Sequence, residues 1–164
     1  MRKFLKGDGP DFRRLDVNGL LRRLQPFLRG GTSDAKVAIR LDLEEALPNV
    51  VADRLQIQEV LHNPIHNDQE ANRARLADTP PPVIVQTRST EDKVLISVVD
   101  AGPGLPETMD MDVIVRPFFT TKEDGVGLGL WIAYSIVEGH GGRLDARNNT
   151  HEPGATFQIR LPRE

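Results

Sequence analysis

The chain of 164 residues contains no cysteine, few aromatic residues and no long hydrophobic run. Without cysteine, disulfide bonds and thiolate metal sites are excluded, and a reducing compartment is expected. No apolar run reaches the roughly 18 residues that span a bilayer, and the opening residues lack a signal-peptide core. Basic residues are not in excess, since 21 Lys and Arg face 24 Asp and Glu. Nucleic acid is therefore not expected as a partner.

The composition that remains is that of a globular protein of ordinary size. Hydrophobic residues make up 38% and charged residues 27% of the chain. Because aromatic residues supply only 5%, the core must be built from Leu, Ile, Val and Ala. The basic, Gly- and Pro-containing segment 1–14 is predicted to be a linker, and residues 15–164 a single domain.

Helical spacing of apolar residues predicts three helices. The first runs to Leu28 and is capped by Asp16 or Asn18. The second opens at Ala52–Asp53 and continues to about Leu76. The third covers Leu128–Glu138 and ends at two glycines.

Alternating patterns predict five strands, most of them joined as hairpins. These strands are Lys36–Leu43, Val83–Thr87, Lys93–Val99, Arg143–Arg147 and Ala155–Leu161. Together with three helices they predict an α+β fold, a two-layer sandwich whose mainly antiparallel sheet carries the helices on one face.

A carboxylate stands where a buried strand meets a glycine turn, in Asp100-Ala-Gly-Pro-Gly104. Such a carboxylate can accept hydrogen bonds from a planar amine, and Gly102 and Gly104 permit close approach of a flat ligand. The alternative is an ordinary polar turn.

A second pattern, Gly125-Val-Gly-Leu-Gly-Leu130, directly precedes the third helix. Exposed backbone N–H groups at a helix N-terminus favour phosphate groups. The spacing is neither that of a Rossmann fingerprint nor that of a Walker loop, and a flexible glycine hinge is the alternative.

A third pattern places Asn63 and Asn67 four residues apart on the second helix. This spacing puts both amides on one helical face, where their oxygens can meet Mg²⁺ or phosphate. Two solvated asparagines are the alternative.

Along the chain, the asparagine pair comes first, then Asp100–Gly104, then Pro117-Phe-Phe-Thr-Thr-Lys122 and then the glycine pattern. With these patterns in this order, the sequence resembles the ATP-binding catalytic domain of bacterial sensor histidine kinases. That domain belongs to the superfamily of gyrase, Hsp90 and MutL. The resemblance covers nearly the whole chain from Phe12, including Ser135–Gly142 and Gly154–Phe157. It implies the Bergerat-type sandwich of that superfamily, with the stretch 103–127 as an ATP lid.

By this resemblance Asp100 would bind the adenine amino group, and Asn67, supported by Asn63, would coordinate Mg²⁺. Gyrase-like ATPases hold a water-activating glutamate at the position of Asn63, and its absence favours transfer to a protein over hydrolysis. The resemblance also assigns nucleotide contacts to Gly102, Gly104, Phe118, Phe119, Thr121, Lys122, Gly125, Gly127, Gly129, Leu130 and Thr156.

A histidine kinase also needs a phosphoacceptor histidine on a dimerisation helix. His62, His66, His140 and His151 do not lie in such a motif. The resemblance therefore implies a catalytic half that does not autophosphorylate alone, with a separate dimerisation domain and a response regulator as partners. A cytoplasmic location without membrane contact by this domain is expected, whether or not the parent protein is membrane-anchored.

The asparagine helix departs from the family pattern at Pro64, Asp68, Gln69 and Asn72. A proline inside a helix costs about 3 kcal/mol. It is tolerated if Asn63 caps a new helix with Pro64 at its first position, so a break at His62–Asn63 is one expectation. The resulting hypothesis is that nucleotide binding survives but is weakened, or that it needs the partner domain.

Two other functions are kept open. One is a degenerate domain that docks partners with little or no turnover, favoured by the altered helix. The other is a Ser/Thr-directed kinase of the same superfamily, such as an anti-sigma factor, which the linker-like start disfavours.

Overall fold

The computed structural model describes residues 9–28, 37–73, 80–106 and 129–164, and the side chains of residues 68–73 lie outside this description. Within these ranges the strands are β1 (Phe12–Leu15), β2 (Ile39–Leu43), β3 (Val50–Asp53), β4 (Val83–Ser89), β5 (Lys93–Val99), β6 (Arg143–Asn148) and β7 (Ala155–Pro162). The helices in the same ranges are α1 (Val17–Leu28), α2 (Arg54–Arg73) and α3 (Gly129–Gly139).

Five strands form one mixed sheet in the order β2-β4-β5-β7-β6. The β2–β4 pair is parallel and the other three pairs are antiparallel. All three helices contact this sheet, and alternate residues of its strands are buried beneath them. The predicted α+β sandwich with a mainly antiparallel sheet is confirmed.

The core lies between the helices and one face of the sheet. The strands contribute the buried residues Val85, Ile96, Ile159 and Leu144, among others, and α2 contributes Ile57, Val60, Leu61 and Ile65. The α2 residues recur at spacings of three and four, which places them on one helical stripe. This stripe places α2 over β4 and β5, and β5 leads into Asp100.

A second, two-stranded sheet joins β1 to β3 in antiparallel register, with Leu15 opposite Val50. The predicted linker boundary at residue 14 therefore cuts through a strand, and the prediction is wrong for residues 12–14. Only Leu15 of β1 is buried, so this strand shows no apolar alternation. Residues 1–8 lie outside the described residues.

Helix α1 begins at an aspartate cap. The Asp16 side chain accepts a hydrogen bond from the Gly19 N–H at 3.0 Å, which satisfies one of the free donors of the first turn. Asn18, the other predicted cap, is buried instead. Its amide donates to the Glu44 carbonyl at 2.8 Å, and its oxygen accepts from the Thr87 hydroxyl at 2.8 Å.

Helix α2 is continuous from Arg54 to Arg73 with Pro64 inside it. The expected break at His62–Asn63 is therefore wrong. Asp53 caps the helix by accepting hydrogen bonds from the N–H groups of Leu55 and Gln56. Pro64 has no N–H to offer the Val60 carbonyl four residues earlier. Its ring is buried in the core layer, which holds the helix together across the missing bond.

Helix α3 ends in a Schellman turn. Gly141 has φ +70°, its N–H donates to the Glu138 carbonyl, and the Gly142 N–H donates to the Val137 carbonyl, both at 2.9 Å. A Cβ on Gly142 would lie 2.3 Å from the Arg160 carbonyl oxygen. The two glycines thus let the chain turn tightly from α3 into β6.

Across the described ranges, every helix is too short or too polar to cross a membrane.

Candidate functional site

Asp100 lies at the end of β5 on the helix-covered side of the sheet and is 6% exposed. Its Oδ1 accepts hydrogen bonds from the Gly102 N–H at 2.9 Å and the Ala155 N–H at 3.0 Å. The Asp100 N–H donates to the Ala155 carbonyl at 3.0 Å. No donor to Oδ2 is found among the described residues. One oxygen therefore fixes the carboxylate, and the other is left to accept from a ligand.

The turn after Asp100 is held by a residue that the sequence prediction missed. The Asn148 amide brackets Leu105, with Oδ1 accepting from the Leu105 N–H at 2.6 Å and Nδ2 donating to the Leu105 carbonyl at 2.9 Å. Gly104 has φ +79°, and a Cβ there would lie 2.7 Å from Asn148 Oδ1. Gly104 is thus required by this contact, and Asn148 ties the start of the predicted lid to β6.

A second missed residue, Asn149, supports Asp100 from the opposite side. Its Nδ2 donates to the Asp100 carbonyl at 2.9 Å and to the Pro153 carbonyl at 3.2 Å, and its Oδ1 accepts from the Thr156 hydroxyl at 2.7 Å. The only sequence signal was the Asn-Asn-Thr composition of a turn, which is typical of many loops.

Thr156 is placed differently from its predicted position near the base. Ala155 pairs with Asp100, since its carbonyl accepts from the Asp100 N–H and its N–H donates to the Asp100 carboxylate, and successive strand residues point to opposite faces. The Thr156 side chain therefore lies on the face away from the helices, where it bonds Asn149. Thr156 therefore acts on the site indirectly, because it orients Asn149, which in turn holds the Asp100 carbonyl.

Gly154 lies too close to the Asp100 backbone for any side chain to fit between them. Its φ is +112°, and a Cβ at this position would lie 2.1 Å from the Asp100 carbonyl oxygen. The β6–β7 turn can approach the end of β5 only because this residue has no side chain.

The structure also brings the asparagine helix to the end of the glycine pattern. Asn63 Nδ2 donates to the Gly129 carbonyl at 3.2 Å, and a Cβ on Gly129 would lie 3.3 Å from Asn63 Oδ1. Asn67 lies one turn further along α2 and is half-buried. Leu130 packs against the core in the first turn of α3, so only its backbone remains for a phosphate contact.

The other predicted site residues, Phe118, Phe119, Thr121, Lys122, Gly125 and Gly127, lie outside the described residues. Gly102 is buried beside Asp100. The described part of the site thus contains one end around Asp100 and a second end where α2 meets α3.

His140, directly after the C-terminal end of α3, connects that end to the junction between β3 and α2. His140 Nδ1 lies 2.7 Å from the Ile136 carbonyl, and the Asp53 N–H donates to Nε2 at 3.1 Å. These partners define a neutral ring with its proton on Nδ1. Phe12 packs on the ring, with centroids 4.8 Å apart. Asn63 and His140 therefore hold α3 to α2 and β3 at its two ends.

The amide oxygens on α2 suit a hard cation such as Mg²⁺ that is held mainly by a bound polyphosphate. Mg²⁺ prefers oxygen ligands and commonly takes few from protein, keeping waters and substrate phosphates. Asn63 uses its Nδ2 on Gly129, which leaves its Oδ1 as a possible ligand. In the described part of the chain no group of three His, Cys, Asp or Glu residues forms a metal site. The residues present fit a metal that arrives with a polyphosphate.

Comparison with known proteins places the chain in a family. Residues 52–164 match the family described as "Histidine kinase-, DNA gyrase B-, and HSP90-like ATPase". Because this match covers more than half of the chain, the protein belongs to that ATPase family. The resemblance stated from the sequence is confirmed.

Two relatives of the chain within this family are sensor proteins. Sensor protein FixL of Bradyrhizobium diazoefficiens is 37% identical over 99% of this chain, which spans 31% of FixL. The C4-dicarboxylate transport sensor protein DctS of Rhodobacter capsulatus is 32% identical over 99% of the chain and 24% of DctS. The chain therefore matches less than a third of either relative, and the similarity does not favour the alternative of a degenerate domain.

Solved structures agree with the fold. The nucleotide-free catalytic domain of histidine kinase ThkA has a TM-score of 0.78 and 29% identity, over 93% of this chain and 96% of that domain. Full-length ShkA has a TM-score of 0.79 at 23% identity, over 94% of this chain and 31% of that protein. The chain thus corresponds to one whole domain of ThkA and to part of ShkA.

Proposed function

We propose that this chain binds Mg·ATP and presents its γ-phosphate to a histidine on a separate helical domain. The Asp100 junction is the observation that carries the proposal. A carboxylate with one oxygen fixed by two backbone N–H groups and the other without a protein donor in the described residues is a recognition group for an amine. The exocyclic amino group of adenine supplies such a donor.

The phosphate end is proposed where α2 meets the first turn of α3. The N-terminus of a helix such as α3 presents backbone N–H groups and a partial positive charge to an anion. Asn63 holds the Gly129 carbonyl, so the end of the glycine pattern is positioned by the asparagine helix. Gly125, Gly127, Thr121 and Lys122 are proposed to complete this end.

Mg²⁺ is proposed to be held by Asn67, with Asn63 as the second candidate. When bound, the metal neutralises phosphate charge and orients the transferred group. No carboxylate stands at the position of Asn63 to activate water, so the chain favours a protein acceptor over hydrolysis. Catalysis then rests on positioning and charge stabilisation.

The acceptor histidine is proposed to come from a dimerisation domain outside this chain, and a response regulator is the proposed next acceptor. His140 has both ring nitrogens engaged by Ile136 and Asp53, which supports this proposal because that histidine is not available to a phosphate. A cytoplasmic site of action is consistent with the absence of cysteine.

The substitution Asp100→Asn tests the base contact. Asn keeps the oxygen that accepts from Gly102 and Ala155 but places an NH₂ group where Oδ2 stands, facing the adenine amine. We expect ATP affinity to fall about ten- to a hundredfold. ITP carries an acceptor oxygen in place of that amine, so its affinity should fall less or rise. Calorimetric titration of both nucleotides measures the ratio, and an unchanged ATP-to-ITP ratio contradicts the proposal.

Transfer is tested separately. A dimerisation domain carrying a phosphoacceptor histidine is added to the chain with radiolabelled Mg·ATP. We expect label on the added domain and none on this chain alone. Binding of ATP without any labelling of a dimerisation domain that a known kinase does phosphorylate would contradict the transfer step and leave the binding site standing.

A further inference from the structure

Two histidines that the proposed function does not use lie on consecutive turns of α2. His62 and His66 are both exposed, and their rings stack with centroids 5.9 Å apart and planes inclined by only 9°. They are four residues apart on a continuous helix, so both side chains rise from the same face. The two imidazoles are thus held near one another by the helix itself.

We propose that His62 and His66 form a binding site for a late first-row divalent cation such as Ni²⁺, Cu²⁺ or Zn²⁺. Neutral imidazole is a preferred ligand of these metals, and two histidines at this spacing on one helix face bind Zn²⁺ in other proteins. Rotation of two exposed side chains brings one nitrogen from each ring to the metal. Among the residues whose side chains are described, no third His, Cys, Asp or Glu joins the pair, and the proposal assigns the remaining coordination positions to water.

The position of Pro64 gives this site a structural consequence. Pro64 lies between the two histidines and removes the hydrogen bond to the Val60 carbonyl. A metal that joins His62 to His66 bridges the same turn on the exposed side. It should therefore stabilise α2 where its backbone bonding is weakest. A ligand that binds only the folded helix raises the stability of the fold in proportion to its affinity.

The other two histidines described by the structure do not offer such a pair. His140 has both ring nitrogens engaged. His151 is exposed in the β6–β7 turn, and it provides a matched single-histidine control. Mg²⁺ prefers oxygen ligands, so excess Mg²⁺ should not displace a metal from this site. The chain also has no cysteine to compete for the metal.

The test is calorimetric titration of NiCl₂ into the nucleotide-free chain, with excess MgCl₂ and without chelator. We expect one site with micromolar affinity. Because two joined ligands bind far more tightly than one, H62Q or H66Q should weaken binding about a hundredfold, whereas H151Q should leave it unchanged. At about 100 times Kd, Ni²⁺ should raise the Tm of the wild type by about 5 to 10 °C.

Circular dichroism of each variant in EDTA establishes that it is folded. Paramagnetic broadening of amide NMR signals by Ni²⁺ gives a second measurement that needs no substitution, and we expect it to centre on residues 58–67. Binding that survives in both H62Q and H66Q, or broadening centred away from α2, would overturn the proposal. Neither result bears on ATP binding, since no nucleotide is present.

Discussion

At the scale of single residues, the site depends on side chains that bond backbone groups of another segment. Asn148 holds Leu105, and Asn149 holds the carbonyl of Asp100. Each of these bonds joins the β6–β7 end of the sheet to the turn after β5. The position of the Asp100 carboxylate is therefore set by amides and backbone groups, with no cation paired to it among the described residues.

The hydroxyl of Thr156 provides a test of this support. Thr156→Val removes the hydrogen bond to Asn149 while keeping the shape of the side chain. We expect a loss of about 1 kcal/mol in the free energy of unfolding, because the half-buried Asn149 amide oxygen loses its donor. Thr156→Ser retains the hydroxyl and should lose less. Urea denaturation of both variants measures the difference, and equal losses would show that the methyl group alone matters.

Gly154 provides a second test. Gly154→Ala places a Cβ against the Asp100 carbonyl and forces a side chain into φ +112°. We expect destabilisation of about 3 kcal/mol or more, or failure to fold. Gly139→Ala is the matched control, because a Cβ there meets nothing within 4 Å. Thermal unfolding compares the two, and a Gly154→Ala variant as stable as Gly139→Ala would contradict the described turn.

At the scale of elements, the regular patterns were predictable and the long-range pairings were not. The bounds of β5 were predicted to the residue, because Val94, Ile96 and Val98 alternate on one buried face. The pairing of β1 with β3 was missed, since it joins segments about 35 residues apart through a strand with one buried side chain. Neither segment contains the information about its partner.

The candidate site divides in the same way. Asp100, Asn63 and the glycines were predicted as site residues because each belongs to a compact sequence pattern. Asn148 and Asn149 were missed because a side-chain bond to a distant carbonyl leaves no periodic trace in the chain. The course of α2 was also open to two interpretations, since the local preference of Pro64 for a helix start competes with burial of α2 in the core.

Pro64 gives the prediction that belongs to helix α2. Pro64→Ala restores an N–H for the Val60 carbonyl, and alanine is the best helix former. Alanine also loses the packing contacts of the buried proline ring, but this loss should be the smaller effect. We expect a net gain of about 1 to 2 kcal/mol in the free energy of unfolding. Pro64→Gly restores the same N–H and should gain about 1 kcal/mol less. Urea denaturation measures both, and a destabilised Pro64→Ala variant would mean that the ring contacts outweigh the missing bond.

At the scale of the whole molecule, three carboxylates accept hydrogen bonds that connect different secondary-structure elements. Hydrogen bonds from Arg88 lower the pKa of Asp42 between β2 and β4. The Ser89 hydroxyl and N–H lower the pKa of Glu44. N–H groups of Gln56 and Asp11 lower the pKa of Asp53, which joins β1, β3 and α2. Each carboxylate must be ionised to contribute fully, so the fold is tied to pH on the acid side.

The sign of this dependence follows from the lowered pKa values. The stabilisation is fully present above the ordinary values of 3.8 for Asp and 4.5 for Glu, and it is lost as pH falls through the lower pKa of each folded-state group. Asp53→Asn keeps a capping oxygen without the charge and should lose stability less steeply with acid. Urea midpoints measured from neutral pH down to pH 3 compare the slopes. Identical slopes for variant and wild type would exclude Asp53 as a contributor.

The two ends of the candidate site are held in place in different ways. The proposed adenine end is fixed to the backbone of two central strands through Asp100 and Ala155. At the proposed phosphate end, the described residues show one side-chain hydrogen bond between α2 and the start of α3, from Asn63 to the Gly129 carbonyl, beside the packing of the two helices. If ATP binds as proposed, a disruption of α2 should weaken binding of the triphosphate more than binding of the nucleoside. Adenosine lacks the phosphates that are proposed to reach α2, so its affinity should report on the sheet end of the proposed site alone.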